Sequence, residues 1–549
     1  MRAEWQPRLF GIPDRAALAE CVADWPVRDI RVRVHRNHGF EPVASAAAPY
    51  AAWNSLAIQW SIGMYDDSLS GELHGDADVD VVWLDTARLT GLADGEMAPW
   101  LVSRLRQMRE QTANPIVVLA WPLAADARES LERAPLTAIH FPDLDAMANA
   151  LGPRWLDMRA ESISGTRLSN RACLLVAGEL ACRWLPACVL PPIKCIALDL
   201  DGTLYAGVLG EDGATAVDLT EAHRMLQECI AAMRRNGVLL ALVSRNDRAD
   251  VDALFAQRHD FPLRLDDFSA VEITWEEKSV ALARVATQMR IGLDAIAFVD
   301  DNPGELASVA SSGPVVTVHA GDDACLTAVA LDHVAGMFRW HTTREDVLRD
   351  TDLRMSVARA TLAAAGASAD DYMRSLRPRL EYHVGAIGDV ARVADLVRKT
   401  NQFNLALTRM SEVDIVRRLE RHSGNVVTIA LADRLSDSGI IAALVGSCDG
   451  DTLHVEEIVV SCRALGRRLE DVMLTRALQL MAEGRAPTQV VFVVQQGARN
   501  SPAREWVARY SGNDSLPASC RIAIPIARVA VRTPSTAIVE TVRYGETIA

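Results

Sequence analysis

Two aspartates, two residues apart, follow an apolar run near the middle of the chain. The run 195–198 leads directly into Asp199 and Asp201. In such a pair, one carboxylate can attack phosphorus while the other, two residues on, protonates the leaving oxygen. A divalent cation is then needed to reduce the repulsion between the anionic nucleophile and an anionic phosphate. The pair therefore indicates phosphoryl-transfer chemistry.

Complementary groups follow two more apolar runs and open one predicted helix. Ser244 offers a hydroxyl for a phosphate oxygen, and Asp300 and Asp301 offer the hard oxygen ligands that Mg²⁺ prefers. Lys278 supplies a positive charge for the attacking aspartate and the transferred group. Each residue alone also fits a turn, a helix cap or a solvated surface charge. Their common order and placement favour a phosphate site.

These residues need a parallel sheet to bring them together. Strand-like runs alternate with helical segments and so predict βαβ units, whose ligands bind at the carboxyl ends of the strands. The strands are predicted at 195–198, 238–243, 295–299 and 315–318, and the helices at 221–235 and 278–289. The segment 205–213, with its glycines, predicts a short hairpin flap over the site.

The flanking regions predict two further domains. Before the phosphate motifs, the buried runs 78–84 and 115–120 predict another α/β unit. After them, strands at 426–430, 440–446, 452–461 and 490–495, with a helix at 469–483, predict an α+β unit. The predicted fold class is therefore α/β, with a central parallel-sheet domain at 191–345, a leading domain at 1–190 and an α+β domain at 346–549.

Composition narrows the class of partner and compartment. The chain has 549 residues, of which 50% are hydrophobic and 23% charged, so it is an ordinary globular composition. A net charge of −15 argues against broad neutralisation of nucleic-acid phosphates, and a small-molecule or protein substrate is expected instead. The ten cysteines form no CxxC pair, and the first residues lack an apolar secretory stretch, so we expect a cytoplasmic protein. Charged residues and a Pro-Pro pair interrupt the most apolar region, 172–200, which predicts no membrane segment.

Taken together, the four phosphate motifs resemble those of the haloacid-dehalogenase (HAD) superfamily. The short spacing between Asp201, Ser244 and Lys278 leaves no room for a sizeable cap domain, so an open site is expected. Longer stretches resemble the FkbH-like family, namely 194–201, 207–213, 275–279 and 298–303. The carboxy-terminal motifs 400–405, 437–440 and 461–467 resemble that family's GNAT-like region. Residues 157–159 and 165–169 resemble its SGNH-hydrolase-like amino-terminal region more weakly.

The FkbH-like resemblance implies a specific activity. Such an enzyme takes a glyceryl unit from 1,3-bisphosphoglycerate, removes phosphate, and loads the acyl group onto the phosphopantetheine thiol of an acyl carrier protein in polyketide biosynthesis. It implies that Asp199 is the nucleophile and a Mg²⁺ ligand, and that Asp201 is the general acid/base and a ligand through its carbonyl. The remaining implied site residues are Thr203, Ser244 and Lys278 for phosphate and Asp300 for Mg²⁺, with Asp301 supporting the metal.

Cys462 is the main candidate outside this site, because a thiolate can accept the acyl group and pass it to the carrier thiol. Arg463 and the arginines at 467 and 468 would favour its thiolate and could hold a phosphate or the phosphopantetheine arm. The alternative is that Cys462 ends a core strand as a small apolar residue.

Two departures from the family pattern keep other functions open. Gly202 stands where the family commonly has Asn, and Tyr205 where it commonly has Trp. The loop at 463–468 carries Arg468 where the GNAT phosphate loop has a small residue, which argues against acetyl-CoA as substrate. The leading domain shows no Gly-Asp-Ser nucleophile, which predicts a non-hydrolytic role. A stand-alone HAD phosphatase of a small metabolite and a carrier-docking scaffold with a silent HAD site remain the alternatives.

Overall fold

The computed structural model describes residues 2–65, 75–92, 95–159, 161–364, 369–529 and 537–545. The chain divides into two compact units, Met1–His341 and Thr342–Ala549. The predicted boundary after residue 190 falls inside the first unit, and the boundary after residue 345 falls close to the start of the second. Both of these domain boundaries stay predictions.

The first unit begins with a parallel sheet. In the described residues it has five strands in the order β2-β1-β3-β4-β5. Every residue of β3 is buried, which is usual for a strand covered by helices on both faces. The strands are β1 (Arg28–Arg36), β2 (Leu56–Tyr65), β3 (Val79–Asp85), β4 (Ile116–Trp121) and β5 (Ile139–His140). The helices are Arg2–Phe10, Arg15–Ala19, Glu41–Trp53, Met97–Gln111, Ala125–Arg133, Leu144–Leu151, Glu161–Ser164, Asn170–Glu179 and Leu185–Val189.

One helical stretch among the described residues has the length and hydropathy to cross a membrane. It runs over Asn170–Val189 with a π-helical turn at Leu180–Trp184. Of its apolar window, 72% is buried inside the protein, where the stretch packs against the helix Glu41–Trp53. A buried core helix passes the same test, so the stretch is weak evidence for a membrane span. The absence of a membrane segment stays a prediction.

A second parallel sheet completes the first unit. Its five strands, in the described residues, lie in the order β10-β9-β6-β7-β8. The strands are β6 (Cys195–Leu198), β7 (Leu239–Ser244), β8 (Ala270–Ile273), β9 (Ile296–Asp300) and β10 (Val316–His319). The helices are Leu209–Asp212, Glu221–Arg235, Arg248–Gln257, Lys278–Met289, Pro303–Ser312 and Ala324–Asp332. The helix Glu221–Arg235 starts where the Thr220 side chain accepts a hydrogen bond from the His223 N–H.

The second unit is built on a mixed sheet. Its seven described strands lie in the order β16-β15-β14-β13-β12-β11-β17, with β14/β15 and β11/β17 parallel and the other pairs antiparallel. The strands are β11 (Arg379–Val384), β12 (Val426–Ala432), β13 (Asp437–Asp449), β14 (Thr452–Val460), β15 (Gln489–Gln495), β16 (Ser519–Pro525) and β17 (Val539–Tyr544). The helices are Arg344–Val347, Arg349–Ala364, Ala369–Leu376, Val390–Lys399, Glu412–Arg421, Glu470–Ala482, Ser501–Ser511 and Ile526–Val529.

The predicted fold class is confirmed. Two α/β layers built on parallel sheets are followed by an α+β unit with a mixed sheet, in the order expected from the sequence. Hydrophobic residues from both faces of each parallel sheet form the core of the first unit. All ten cysteines lie in described residues and are free thiols.

Candidate active site

Four of the predicted site residues meet at the carboxyl edge of the second sheet. Strand β6 lies between β9 and β7, so Asp199, which follows it, stands near the centre of that edge. Ser244 is the last residue of β7 and Asp300 is the last residue of β9. Lys278 is the first residue of the helix that follows β8. The parallel strands therefore place these side chains on one side of the sheet.

The ammonium group of Lys278 lies between two carboxylates. Its Nζ is 2.9 Å from Asp199 Oδ2 and also contacts Asp300 Oδ2. The lysine side chain is only 6% exposed. Burial alone would lower the pKa of Lys278, but the charges of Asp199 and Asp300 outweigh burial and raise that pKa. Lys278 is therefore held as a cation beside the predicted nucleophile.

Three carboxylates share this small volume. Asp199, Asp300 and Asp301 each place an oxygen within 4.8 Å of the others. Burial, followed by the charge of Asp199, raises the pKa of Asp300 to about 6. Burial also raises the pKa values of Asp199 and Asp301. Asp199 and Asp300 are buried and Asp301 is exposed. One lysine does not balance the charge of three carboxylates so close together, so the group favours an additional cation.

Two buried oxygens of the site lack a hydrogen-bond partner among the described residues. They are Asp199 Oδ1 and Thr203 Oγ1. Buried polar atoms are nearly always paired, so an unpaired oxygen beside clustered carboxylates indicates a ligand. Carboxylate oxygens are the ligands that Mg²⁺ prefers. The carboxylate group of Asp199, Asp300 and Asp301 therefore fits Mg²⁺, and the Thr203 hydroxyl is available for a phosphate oxygen.

The Asp201 carboxylate is held apart from that group of three by its own donors. Its Oδ1 accepts hydrogen bonds from the Tyr205 hydroxyl at 2.6 Å and the Leu209 N–H at 2.9 Å. Its Oδ2 accepts one from Asn246 Nδ2 at 2.9 Å. These three donors fix the orientation of a side chain predicted to transfer protons. Ligation of the metal through the Asp201 main-chain carbonyl stays a prediction.

Sequence reasoning missed two of these supporting residues. Asn246 also donates to Ser244 Oγ at 3.1 Å, so it links the predicted phosphate hydroxyl to Asp201. Tyr205 drew notice only because it replaces a tryptophan, although its hydroxyl contacts Asp201 directly. Tyr205 comes four residues after Asp201, and an isolated β-bridge pairs the two residues. This pairing brings the tyrosine hydroxyl to the carboxylate. A tyrosine close behind an aspartate pair is the signal that could have identified it.

The predicted hairpin at 205–213 is wrong. The segment forms a short helix, Leu209–Asp212, because Asp212 Oδ2 accepts the Val208 N–H and closes a turn. Ala206 pairs instead with Asp218 through two backbone hydrogen bonds of 2.9 Å. The Leu209 N–H reaches Asp201 from this turn, so the segment directly supports the predicted general acid/base.

Gly202 makes room for one of the three clustered carboxylates. Its φ is +64°, in the left-handed region that favours glycine. A Cβ added to it would lie 2.4 Å from Asp301 Oδ2. The Asp301 carboxylate therefore occupies the space that a side chain at position 202 would take, and this departure from the family pattern has a local structural consequence.

Replacing Gly202 by Asn is expected to weaken Mg²⁺ binding about tenfold, the loss typical when a metal ligand's surroundings change. Asn tolerates the left-handed conformation, so the substitution tests the contact with Asp301 and not backbone strain. Gly512→Asn is the matched control, because Gly512 has φ +76° and ψ 17° and a Cβ added to it would make only an ordinary contact, 3.8 Å from Arg528 Nη1. Titration calorimetry with Mg²⁺ measures both variants. Equal affinity in the two would show that Asp301 does not need this space.

In the second unit, Cys462 follows β14 and is half-buried. The neighbouring Ser461 N–H donates to the Ile441 carbonyl, which ties the chain before Cys462 to β13. The predicted role of Cys462 as an acyl acceptor stays a prediction.

Two of the arginines near Cys462 already have partners within the second unit. Arg463 donates to the main-chain oxygen of Glu345 at 3.2 Å, and burial lowers its pKa to about 9. Arg467 donates to both oxygens of Asp352, at 3.0 and 3.1 Å, and contacts Asp433. These bonds brace the loop after β14. A phosphate-binding role for Arg463 stays a prediction and would require this guanidinium to exchange its partner.

In the loop at 463–468, a carboxylate of the protein itself binds a main-chain N–H. In a phosphate-binding loop, that N–H would be available to the phosphate. The Gly466 N–H donates to Glu470 Oε1 at 2.9 Å. Arg468 adopts φ +59°, a conformation that glycine would take without strain. A carboxylate on the amide and a bulky residue at the small position both oppose the binding of a CoA pyrophosphate. That acetyl-CoA is not the substrate stays a prediction.

The carboxyl edge of the first sheet has its own buried polar group. His38 Nδ1 lies 3.0 Å from Thr166 Oγ1, and the ring stacks on Trp83. Burial, together with nearby arginines, lowers the pKa of His38 to about 3. Asp85 is bound by Arg167 at 2.7 Å and does not supply the carboxylate partner of a hydrolase histidine. The predicted non-hydrolytic role of this region stays a prediction.

Comparisons with known proteins yield distant structural similarity. No protein-family model and no curated protein matches the chain. The amino-terminal part of a Bacteroides fragilis protein containing a phosphatase domain, complexed with Mg, is 18% identical, with 57% of this chain and 95% of that one covered and a TM-score of 0.46. A diaminobutyrate acetyltransferase from Paenibacillus lautus is 12% identical over 28% of this chain and 98% of that one, with a TM-score of 0.21. A chimera of the spermidine N-acetyltransferase from Vibrio cholerae is 12% identical over 28% and 99%, with a TM-score of 0.20.

Proposed function

We propose that this protein is a Mg²⁺-dependent HAD-type phosphatase coupled to an acyltransferase of the FkbH-like kind. It takes a glyceryl unit from 1,3-bisphosphoglycerate, removes phosphate and loads the acyl group onto the phosphopantetheine thiol of an acyl carrier protein. The observation that carries the proposal is the buried Asp199, with one oxygen on Lys278 and the other unpaired, beside Asp300 and Asp301. We place the activity in the cytoplasm, in polyketide assembly.

The phosphatase half follows from the positions of the two aspartates. Asp199 attacks the phosphorus of the ester phosphate on carbon 3, the bond between this phosphorus and the ester oxygen breaks, and Asp201 gives that oxygen a proton. Water then attacks the phosphorylated Asp199 while Asp201 takes its proton, and inorganic phosphate leaves. Lys278, Ser244 and Thr203 orient the phosphate oxygens. When bound by Asp199 and Asp300, Mg²⁺ would supply positive charge that offsets the repulsion between carboxylate and phosphate.

The acyl-transfer half uses a substrate that is already activated. The Cys462 thiolate attacks the acyl carbon, the bond between that carbon and the phosphate oxygen breaks, and phosphate leaves with the bonding electrons. The carrier thiol then attacks the thioester, and Cys462 leaves as a thiolate. The carrier thiol loses its proton to solvent in this exchange. No ATP is consumed, because the acyl phosphate has a good leaving group.

One observation favours a second candidate, a stand-alone HAD phosphatase of a small phosphorylated metabolite. Arg463 and Arg467 are bound to Glu345 and Asp352 within the second unit and are not aimed at an open position. In that case phosphate release would be undiminished by Cys462→Ala and indifferent to any carrier protein. The two candidates share the phosphatase site and differ only in the role of Cys462.

Release of the ester phosphate on carbon 3 of 1,3-bisphosphoglycerate is expected to depend on Mg²⁺, whereas release of the acyl phosphate by Cys462 is not. Removing the metal with EDTA should lower the rate of ester phosphate release at least about 100-fold, because Asp199 then faces an anionic phosphate beside two other carboxylates. Adding Mg²⁺ in excess over the chelator should restore it. Mass spectrometry of the glyceryl products distinguishes loss of the ester phosphate from loss of the acyl phosphate and gives both rates, and mass spectrometry of the carrier arm reports acyl loading. Ester phosphate release that persists unchanged in EDTA would reject the proposal.

A further inference from the structure

A histidine stands beside the three clustered carboxylates, and none of the phosphate motifs includes it. His319 is the last residue of β10, where it pairs in register with Asp300 of β9. Its Nε2 is 3.1 Å from the main-chain oxygen of Asp301. A carbonyl oxygen only accepts, so Nε2 carries the hydrogen and donates it. The next residue, Ala320, donates its N–H to the Asp300 carbonyl at 2.9 Å.

The main chain of His319 is held in turn by the first helix of the protein, Arg2–Phe10. Gln6 is 3% exposed, and its Nε2 donates to the His319 carbonyl at 2.9 Å. The His319 N–H donates back to Gln6 Oε1, also at 2.9 Å. Strand β10 is an edge strand, and the amide side chain fills the place of a neighbouring strand there. A residue 313 positions earlier in the chain therefore fixes the end of β10.

These hydrogen bonds connect Gln6 through His319 to the main chain of Asp301, one of the three clustered carboxylates. The His319 ring restrains the peptide that follows Asp301, and so the direction in which the Asp301 side chain leaves the main chain. That carboxylate lies beside Gly202, where an added Cβ would stand 2.4 Å from its Oδ2. Hydrogen bonds around a ligand determine its orientation and the affinity of the site for its metal.

We propose that His319 is a positioning residue for the three clustered carboxylates that would hold Mg²⁺. Gln6 holds His319 in place, and the amino-terminal helix thereby contributes to this positioning. The inference rests on the proposed Mg²⁺-dependent function. It gives the leading region a role at the phosphatase site without requiring any hydrolase chemistry of its own. The ring acts as a hydrogen-bond donor and transfers no proton to substrate.

Titration calorimetry with Mg²⁺ alone, without substrate, tests the role of His319. His319→Ala is expected to weaken Mg²⁺ binding about tenfold. His319→Gln should return the affinity to within about twofold of the wild type, because its amide N–H can reach the position of Nε2. Gln6→Ala should weaken binding by a smaller factor of about three. His259→Ala, at an exposed histidine outside these contacts, should bind like the wild type.

Thermal unfolding without Mg²⁺ separates positioning from a purely structural role. If His319→Ala and Gln6→Ala lower the unfolding temperature but bind Mg²⁺ with wild-type affinity, the inference is overturned. If His319→Ala does not fold, His319→Gln and Gln6→Ala decide by the same comparison. Asp300→Asn separates the two proposals. Loss of Mg²⁺ binding in Asp300→Asn alone overturns only the role of His319, whereas a wild-type protein that binds no Mg²⁺ overturns the proposed function as well.

Discussion

Replacing Asp199 by Asn is expected to reduce release of the ester phosphate on carbon 3 at least about 10⁴-fold, because the amide cannot form the bond to phosphorus that begins the reaction. The amide keeps the size of the side chain, so Ser244 and Thr203 can still meet the phosphate. Substrate binding should therefore survive much better than turnover. Inorganic phosphate release under single-turnover conditions gives the chemical rate, and Asp199→Ala guards against slow deamidation of the new Asn.

The stability of the same variant provides an independent check. Burial raises the pKa of Asp199, which means that the folded protein disfavours its charged form at neutral pH. Removing that charge leaves Lys278 paired with Asp300. The metal-free variant is therefore expected to unfold at a temperature no lower than that of the wild type. Asp247→Asn, at an aspartate near the same edge whose Oδ1 accepts a hydrogen bond from Trp275 Nε1 at 3.5 Å, should leave both rate and stability unchanged. A variant with unaltered phosphate release would remove Asp199 from the mechanism.

The central sheet could be predicted because its strands are continuous apolar runs. The run 195–198 matches β6 residue for residue, and the helices Glu221–Arg235 and Lys278–Met289 have the predicted bounds. Strand β1 was missed because arginines alternate along Arg28–Arg36. Two of those arginines are buried through partners far away in sequence, Arg33 on Asp80 among them. Local hydropathy carries no information about such pairing, which only the folded sheet creates.

The candidate site was also predictable where local sequence patterns determine it, and not where it depends on contacts between distant parts of the chain. Residues at strand ends, such as Asp199 and Asp300, follow from the rule that parallel strands present their carboxyl ends together. Side chains that act through long-range contacts do not. Gln6 lies in the first helix of the chain, 313 residues before His319 in the sequence. In the sequence, His319 resembles any residue that ends a short strand. No spacing in the sequence links either of them to Asp301.

Replacing Cys462 by Ala is expected to abolish a covalent glyceryl adduct on the protein. Wild-type protein mixed with 1,3-bisphosphoglycerate and Mg²⁺ should gain the mass of one glyceryl unit. Peptide mapping should place that unit on Cys462 as a thioester that hydroxylamine removes. The half-buried position of Cys462 leaves part of the residue accessible to an acyl phosphate. Cys462→Ala should also lose transfer to the carrier thiol and the acyl phosphate released with it, while retaining release of the ester phosphate, because no atom of Cys462 takes part in the phosphatase half.

Cys448 and Cys520 provide matched controls, since both are half-buried cysteines of the second unit. Burial raises the pKa of Cys520, which makes it a poorer nucleophile at neutral pH. Alanine at either position should leave the adduct intact. If the adduct persists in Cys462→Ala, or moves to Cys448, the covalent route through Cys462 is wrong. If no adduct forms in the wild type and phosphate release continues, the protein acts as the stand-alone phosphatase, because the phosphatase chemistry requires only the residues of the second sheet.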